Sequence, residues 1–368
     1  MDINSPYSSK NMSVAVKINT KILSAVSPEN VVNIVEENQQ KLNNVNITTA
    51  IHRIAKICHR KPQKIAKILP KLKPLISIIF DKCGTFSGRQ LANSTWGLSI
   101  MQYKDVEFYK KISSESRKKL NDFEPQHLAI LVWSFATMNL SDRILFGKVA
   151  LKAIIEIQKF SPQNLSNLAW AFAKMNYCEE LLFKNIASQA VKTIKEFAPQ
   201  NISNLIWSFG ALKIGETELL EKIIDESLKR LEEFNTQNLS NLAWSLAQLV
   251  PASRYNDVLF EEVSAVCIIK TEYFNARYFS NLLWAFAVAG FFPEPLVERA
   301  IDYMNTAEPS ELEDLGAAYK AQWYQVDLTL KLERPVFSRR VSLRKAILTL
   351  VSREFLSFSN AIFSNEQI

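Results

Sequence analysis

Apolar residues recur along this chain with a short period nested inside a long one. Over SPQNLSNLAWAFAKM, Ser161 to Met175, the side chains of Leu165, Leu168, Ala169, Phe172, Ala173 and Met175 share one side of a helical wheel. Gln163, Asn167, Trp170 and Lys174 fall on the other. After a short loop at 176–180, Phe183, Ile186, Ala187, Ala190, Val191 and Ile194 line one face of a second helix. The long period is read from tryptophan: Trp96, Trp133, Trp170, Trp207 and Trp244 are 37 residues apart, and Trp284 follows after 40, the extra positions falling around Val250-Pro251-Ala252-Ser253. Such a period marks a repeat array whose units complete a core only by stacking. The pattern predicts an all-α fold, an α-solenoid of about six good helical hairpins with a period of about 37 residues.

Each unit opens with a helix-start signal. Phe160 precedes Ser161 at the N-cap and Pro162 at the first helical position, and Phe160 with Leu165 can form a hydrophobic staple. The same pairing recurs as Phe86 with Leu91, Phe123 with Leu128, Phe197 with Ile202, Phe234 with Leu239 and Phe274 with Phe279. Ser87, Asn235 and Asn275 are good caps and Ala198 is a poor one. Degenerate copies flank the array: 46–55 has His52 in the tryptophan position, and 309–319 has Ala317 there, while Trp323 lies out of register. The expected organisation is an N-terminal arm and capping helix over 1–40, a repeat solenoid over 41–325, and a basic tail over 326–368.

The polar side of the first helix is the candidate site. Small residues follow each tryptophan (Gly97, Ser134, Ala171, Ser208, Ser245, Ala285), so a ring on one helix is expected to enter a notch on the next. Three residues before each tryptophan stand Asn93, Asn167, Asn204, Asn241 and Asn281, interrupted by Ile130. Near the helix start one row reads Arg89, Gln126, Gln163, Gln200, Gln237, Arg277, and the next reads Gln90, His127, Asn164, Asn201, Asn238, Tyr278. Stacked at constant pitch, these form parallel polar ladders. Two readings of the Asn row stand side by side: a structural amide ladder, because buried polar groups need partners, or donors and acceptors that meet an extended polymer. The Gln/Arg row, at a helix start, favours a ligand.

Composition narrows the classes. Of 368 residues, 48% are hydrophobic and 22% charged, enough for a core, and the 8 glycines are too few for the turns of an all-β chain. Four separated cysteines support neither a disulfide framework nor a zinc cluster, so no metal or other cofactor is expected. The longest apolar run, 282–292, is about half of the roughly 20 residues a membrane helix needs, so no membrane role is expected. The three histidines, His52, His59 and His127, sit beside no nucleophile motif, and no P-loop or H-E-x-x-H occurs. A non-enzyme with no small-molecule substrate is therefore expected, with His52 and His59 as surface residues. The formal charge of +7 is uneven. No acid lies between Lys41 and Phe80, where Arg53, Lys56, Arg60, Lys61, Lys64, Lys67, Lys71 and Lys73 crowd together, and Arg334, Arg339, Arg340, Arg344, Lys345 and Arg353 form a second block. Such blocks suit a polyanion or a solvated helix face equally well.

The phrase F-x-P-Q-N-L-S-N-L-A-W-A-F-A-K-M, the second helix L-F-x-x-I-A at 182–187 and T-A-I-H-R-I-A-K at 49–56 resemble the octotricopeptide and heptatricopeptide repeat families. These are helical-hairpin arrays of organellar RNA-binding proteins, related to the FAST-kinase-like group. The resemblance covers about residues 44–325. It implies single-stranded RNA as the partner, in a mitochondrion or plastid, bound on a concave face. Many relatives end in a nuclease-like RAP domain, but the segment after Gln325 has no acidic cluster to hold a metal. The N-terminal 21 residues have no apolar core for a secretory signal and only in part the composition of an organellar transit segment, so a cytoplasmic location stays open.

Three functions follow. In the first, the solenoid binds single-stranded RNA through Arg89, Gln90, Asn93, Gln126, His127, Gln163, Asn164, Asn167, Lys174, Gln200, Asn201, Asn204, Gln237, Asn238, Asn241, Arg277, Tyr278 and Asn281, with Arg53, Lys56, Arg60 and Lys64 meeting phosphates. Amides that scarcely vary would hold the backbone; the varied row of Gln90 to Tyr278, or the row Ile100, Thr137, Lys174, Ala211, Gln248, would read bases. In the second, the Trp and Asn rows clamp an extended polypeptide. In the third, the chain is a fixed subunit of a ribonucleoprotein such as an organellar ribosome. Glu179, Glu180, Glu196, Glu216, Glu218, Glu232 and Glu233 oppose RNA unless they sit on the outer helices.

Overall fold

The computed structural model describes residues 13–249, 254–353 and 355. The Val250-Pro251-Ala252-Ser253 loop lies outside the described residues, as do residues 1–12 of the arm and 356–368 of the tail. All regular structure among the described residues is helical, in the expected alternation of first and second helices. The chain divides into two compact units, Met1–Ile186 and Ala187–Ile368.

In the first unit α1 (Val14–Ser24) and α2 (Pro28–Glu37) both pack on α3 (Asn44–Cys58), so the start of the array is a helix pair and not a single capping helix. Ser13 and Ser27 cap these two helices, which is why each starts where it does. After α4 (Pro62–Ile68) and α5 (Lys73–Lys82) come α6 (Gly88–Ile100), α7 (Val106–Lys118), α8 (Pro125–Thr137), α9 (Arg143–Glu156) and α10 (Pro162–Lys174). The first helices α3, α6, α8 and α10 pack side by side, and α5, α7 and α9 form the outer layer. The next second helix, α11 (Glu180–Thr193), contains the division between the units.

The second unit repeats the plan with α12 (Pro199–Leu212), α13 (Thr217–Leu228), α14 (Thr236–Leu249), α15 (Arg254–Ile269), α16 (Ala276–Val288) and α17 (Glu294–Thr306). Here α12, α14 and α16 are the adjacent first helices. Each unit is thus an α-solenoid of stacked hairpins.

Three devices recur with the period. The buried phenylalanine before each of α6, α8, α10, α12, α14 and α16 ends a 3₁₀ turn and donates its amide back into it, as Phe160 does to Ile157 O at 3.1 Å. Phe274 and Phe279 stack at 4.7 Å, which is the staple that the sequence predicts. The first helices α6, α8, α10, α12 and α16 then end in a left-handed residue: Gln102, Asn139, Asn176 and Lys213 have φ of 53° or 54°, and Gly290 has 70°. One residue further on, the amides of Tyr103, Leu140, Tyr177, Ile214 and Phe291 each reach the carbonyl five back, closing a Schellman cap. The third device joins successive repeats. Lys119 Nζ donates to Gly84 O (2.6 Å) and Phe86 O (2.8 Å), Arg230 Nη2 to Phe197 O (2.6 Å), and Lys270 Nζ to Glu232 O (2.6 Å) and Phe234 O (2.8 Å).

The C-terminal copy departs from expectation. Instead of one helix over 309–319 there is a short α18 (Pro309–Glu313), a bend, and α19 (Ala317–Glu333), which starts at Gly316 and packs on α16. Trp323, out of register in the sequence, is fully buried and donates its indole N–H to Ala276 O at 3.1 Å. Through positions 325 and 326, where the sequence places the start of the tail, α19 continues with Val326, Asp327 and Leu330 buried. In α20 (Pro335–Arg340), Arg340 pairs with Glu298 at 2.9 Å and Glu294 at 3.6 Å.

Candidate nucleic-acid interface

The first helices begin with two polar positions that the structure treats differently. At the second helical position, Arg89, Gln126, Gln163, Gln200, Gln237 and Arg277 are all exposed. At the third position, expected to vary with the base read, the side chain turns inward to its own helix. Gln90 Oε1 accepts from Ser87 N (2.9 Å), Asn164 Oδ1 from Ser161 N (3.3 Å), Asn201 Oδ1 from Ala198 N (3.2 Å) and Asn238 Oδ1 from Asn235 N (3.3 Å). In three of these the N-cap side chain returns the bond to the third amide, completing a capping box. The base-reading assignment of this row is therefore corrected: its oxygens satisfy helix-start donors that would otherwise be orphaned. Tyr278 is half-buried, and His127 is buried. Ile100, offered in the other varied row, is also buried and presents no polar edge; Lys174 is exposed.

The Asn row lies between these extremes. Asn93, Asn167, Asn204 and Asn241 are half-buried, and among the described residues no hydrogen bond holds their side-chain amides; Asn281 is buried. Free amides of this kind retain donors and acceptors for a ligand.

Each of the six repeat tryptophans is half-buried, and rings from successive repeats meet: Trp133 and Trp170 at 6.0 Å in the first unit, Trp207 with Trp244 at 6.5 Å and Trp244 with Trp284 at 6.3 Å in the second. His52 takes the same place against Trp96, at 4.8 Å, so it is not the surface residue expected. The small residues beside the rings lie between helices. Ser134, Ser208 and Ser245 are fully buried and return their hydroxyls to the carbonyls of Ile130, Asn204 and Asn241. A Cβ at Gly97 would come within 3.0 Å of Ile51 Cγ1 and 3.2 Å of Ile51 O.

Charge is segregated by layer. The helices α6, α8, α10, α12, α14 and α16 contain no Asp or Glu, and neither does α3. The acids that opposed an RNA reading stand elsewhere. Glu180 and Glu218 lie in second helices, Glu216 stands just before one, and Glu196, Glu232 and Glu233 occupy the 3₁₀ turns. Lys56, Arg60 and Lys64 are exposed at the end of α3 and beyond. Arg53, in contrast, gives Nε and Nη2 to Ala25 O at 3.1 and 2.8 Å, so its guanidinium holds α1 to α3.

At the starts of α3, α6 and α8 the first unit opens into a cleft of about 780 Å3. His52, Arg89, Asn93, Gln126 and His127 line it, together with Asp122 and Glu124. Burial holds the His52 imidazole below its ordinary value, and Lys56 and Arg89 add to this. His127 is also lowered, by burial first; Glu124 opposes that shift and Arg89 reinforces it. Burial raises the thiols of Cys58, Cys83 and Cys267, which keeps them protonated. Among the described residues no group of three or more His, Cys, Asp or Glu could hold a metal ion, and no helix is long and apolar enough to cross a membrane.

Stacked hairpins with a strict period and an acid-free polar layer define a helical-repeat protein. Over residues 21–318 the chain matches the family model of the RNA-editing substrate-binding complex 6 protein, and it belongs to that family. No curated protein matches it. This membership agrees with the resemblance drawn from the sequence at the level of an RNA-associated helical repeat; the octotricopeptide or heptatricopeptide assignment goes further than the match does.

Proposed function

We propose that the chain binds single-stranded RNA along the first-helix layer of its repeats, without catalysing a reaction on it, as a subunit of an organellar ribonucleoprotein assembly. The absence of carboxylates from seven successive first helices supports this most directly. A polyanion laid on that layer meets exposed Gln and Arg, unengaged Asn amides and the positive ends of helix dipoles. In α12 and α14 there is no charged residue at all, so there the amides and helix starts, more than cations, would hold the sugar-phosphate backbone. Helical-repeat RNA binders read about one base per repeat, so each good repeat would address roughly one nucleotide. The family name, which speaks of binding an RNA-editing substrate, supports the same reading.

Filter binding of an unstructured oligouridine over a series of salt concentrations tests it. The logarithm of affinity should fall linearly with that of salt, by about 0.7 per phosphate neutralised. An affinity flat in salt, or preferential binding of an extended polypeptide, would overturn the proposal.

A further inference from the structure

The first helix α8 lacks the capping box that starts α6, α10 and α14. In place of Ser87, Ser161 or Asn235, α8 has Glu124 at its N-cap, and the Glu124 side chain makes no capping bond. At the third position, where Gln90, Asn164 and Asn238 complete the box in α6, α10 and α14, stands His127. The His127 side chain is 9% exposed, and its Nδ1 has no hydrogen-bond partner among the described residues, Glu124 Oε2 being 3.8 Å away. A cap of this kind is worth about 1 kcal/mol, and local rules are broken at functional sites more than elsewhere. Both groups border the cleft at the starts of α3, α6 and α8.

The other walls say what would fit. Arg89, exposed at the rim, suits a phosphate. On the α3 wall the His52 imidazole, itself backed by Trp96, offers a flat stacking surface. Asp122 and Glu124 are carboxylates beside an otherwise acid-free layer. Against a phosphate backbone they are repulsive, but against a base edge they accept hydrogen bonds. Guanine is the base that presents two adjacent N–H donors to one carboxylate. The cleft volume lies in the range of small-ligand sites.

We infer that this cleft is a guanine-nucleotide subsite, in which Glu124 accepts from the guanine edge with the buried His127 behind it, His52 stacks on the base and Arg89 holds its phosphate. Resting on the RNA reading, it assigns to that reading one base-specific position. Titration of the full chain with GMP, AMP, CMP and UMP by calorimetry tests it. GMP should bind at least about tenfold more tightly than the others, a 1.4 kcal/mol preference. The Glu124→Ser/His127→Asn chain regains the capping box of the other repeats, so it should fold at least as stably while losing the guanine preference. Equal binding of the four nucleotides, no binding of any, or a preference that survives in this double variant overturns the inference. The oligouridine salt slope decides the RNA reading separately: a lost slope with the GMP preference intact sinks that reading and leaves the subsite.

Discussion

The imidazole of His52 lies 4.8 Å from the indole of Trp96, in the place where later repeats set one tryptophan against another. Rings on successive first helices therefore meet, as two pairs in the first unit and as a column of three in the second. Its members serve the fold first. Trp244 meets both Trp207 and Trp284, so Trp244→Ala should cost about 2–4 kcal/mol. Trp244→Phe should cost clearly less. Urea unfolding followed by circular dichroism reads both, and an unmoved midpoint for the alanine variant would show that the column carries no load.

Lys213 ends α12 at φ 54°, where later in the chain Gly290 does the same task without a Cβ. Lys213→Gly should therefore stabilise the protein, by roughly 0.5–1 kcal/mol. A lower thermal midpoint would contradict this account of the cap.

Asn238 and Gln237 are adjacent amides with different work. Asn238 exchanges bonds with Asn235 at the start of α14, whereas Gln237 is exposed. Asn238→Ala should cost about 1 kcal/mol of stability and Gln237→Ala less than about 0.5. The order should reverse in oligouridine affinity, with Gln237→Ala the weaker binder.

Acid should loosen the first unit. His52 and His127 bind protons less readily in the fold than the ordinary value of 6.5 allows. Below pH 6.5 the unfolded chain takes up protons that the folded chain refuses, so stability is full above 6.5 and declines as pH falls toward the folded values. Urea midpoints between pH 7.5 and 5.5 should show the decline, and His127→Asn should flatten it. A midpoint that rises on acidification would mean that these imidazoles gain a partner when charged.

The repeat was legible because its marks are redundant: a tryptophan every 37 residues, a phenylalanine before each start, and two amphipathic helices between. The layer that could face RNA was legible too, since the wheel separates Gln163 and Asn167 from Leu165 and Leu168. What the wheel could not separate was Gln163 from Asn164. A polar residue in the first turn looks the same whether its oxygen meets a ligand or its own N-cap amide, and only coordinates showed the box. The left-handed ends were hidden because Gln102, Asn139, Asn176 and Lys213 carry no glycine to flag them. The meeting of rings such as Trp207 and Trp244 was not legible because a helical wheel describes one helix at a time. At the C-terminus a weak match to the phrase disguised the bend between α18 and α19.

Lys119, Arg230 and Lys270 point their charge into main-chain carbonyls of the preceding repeat. Fastened there, they act as rivets between hairpins and release few ions when a strand arrives. These three of the 44 lysines and arginines should accordingly add nothing to the ionic sensitivity of binding. High salt that strips RNA from the protein should leave the stack of hairpins standing.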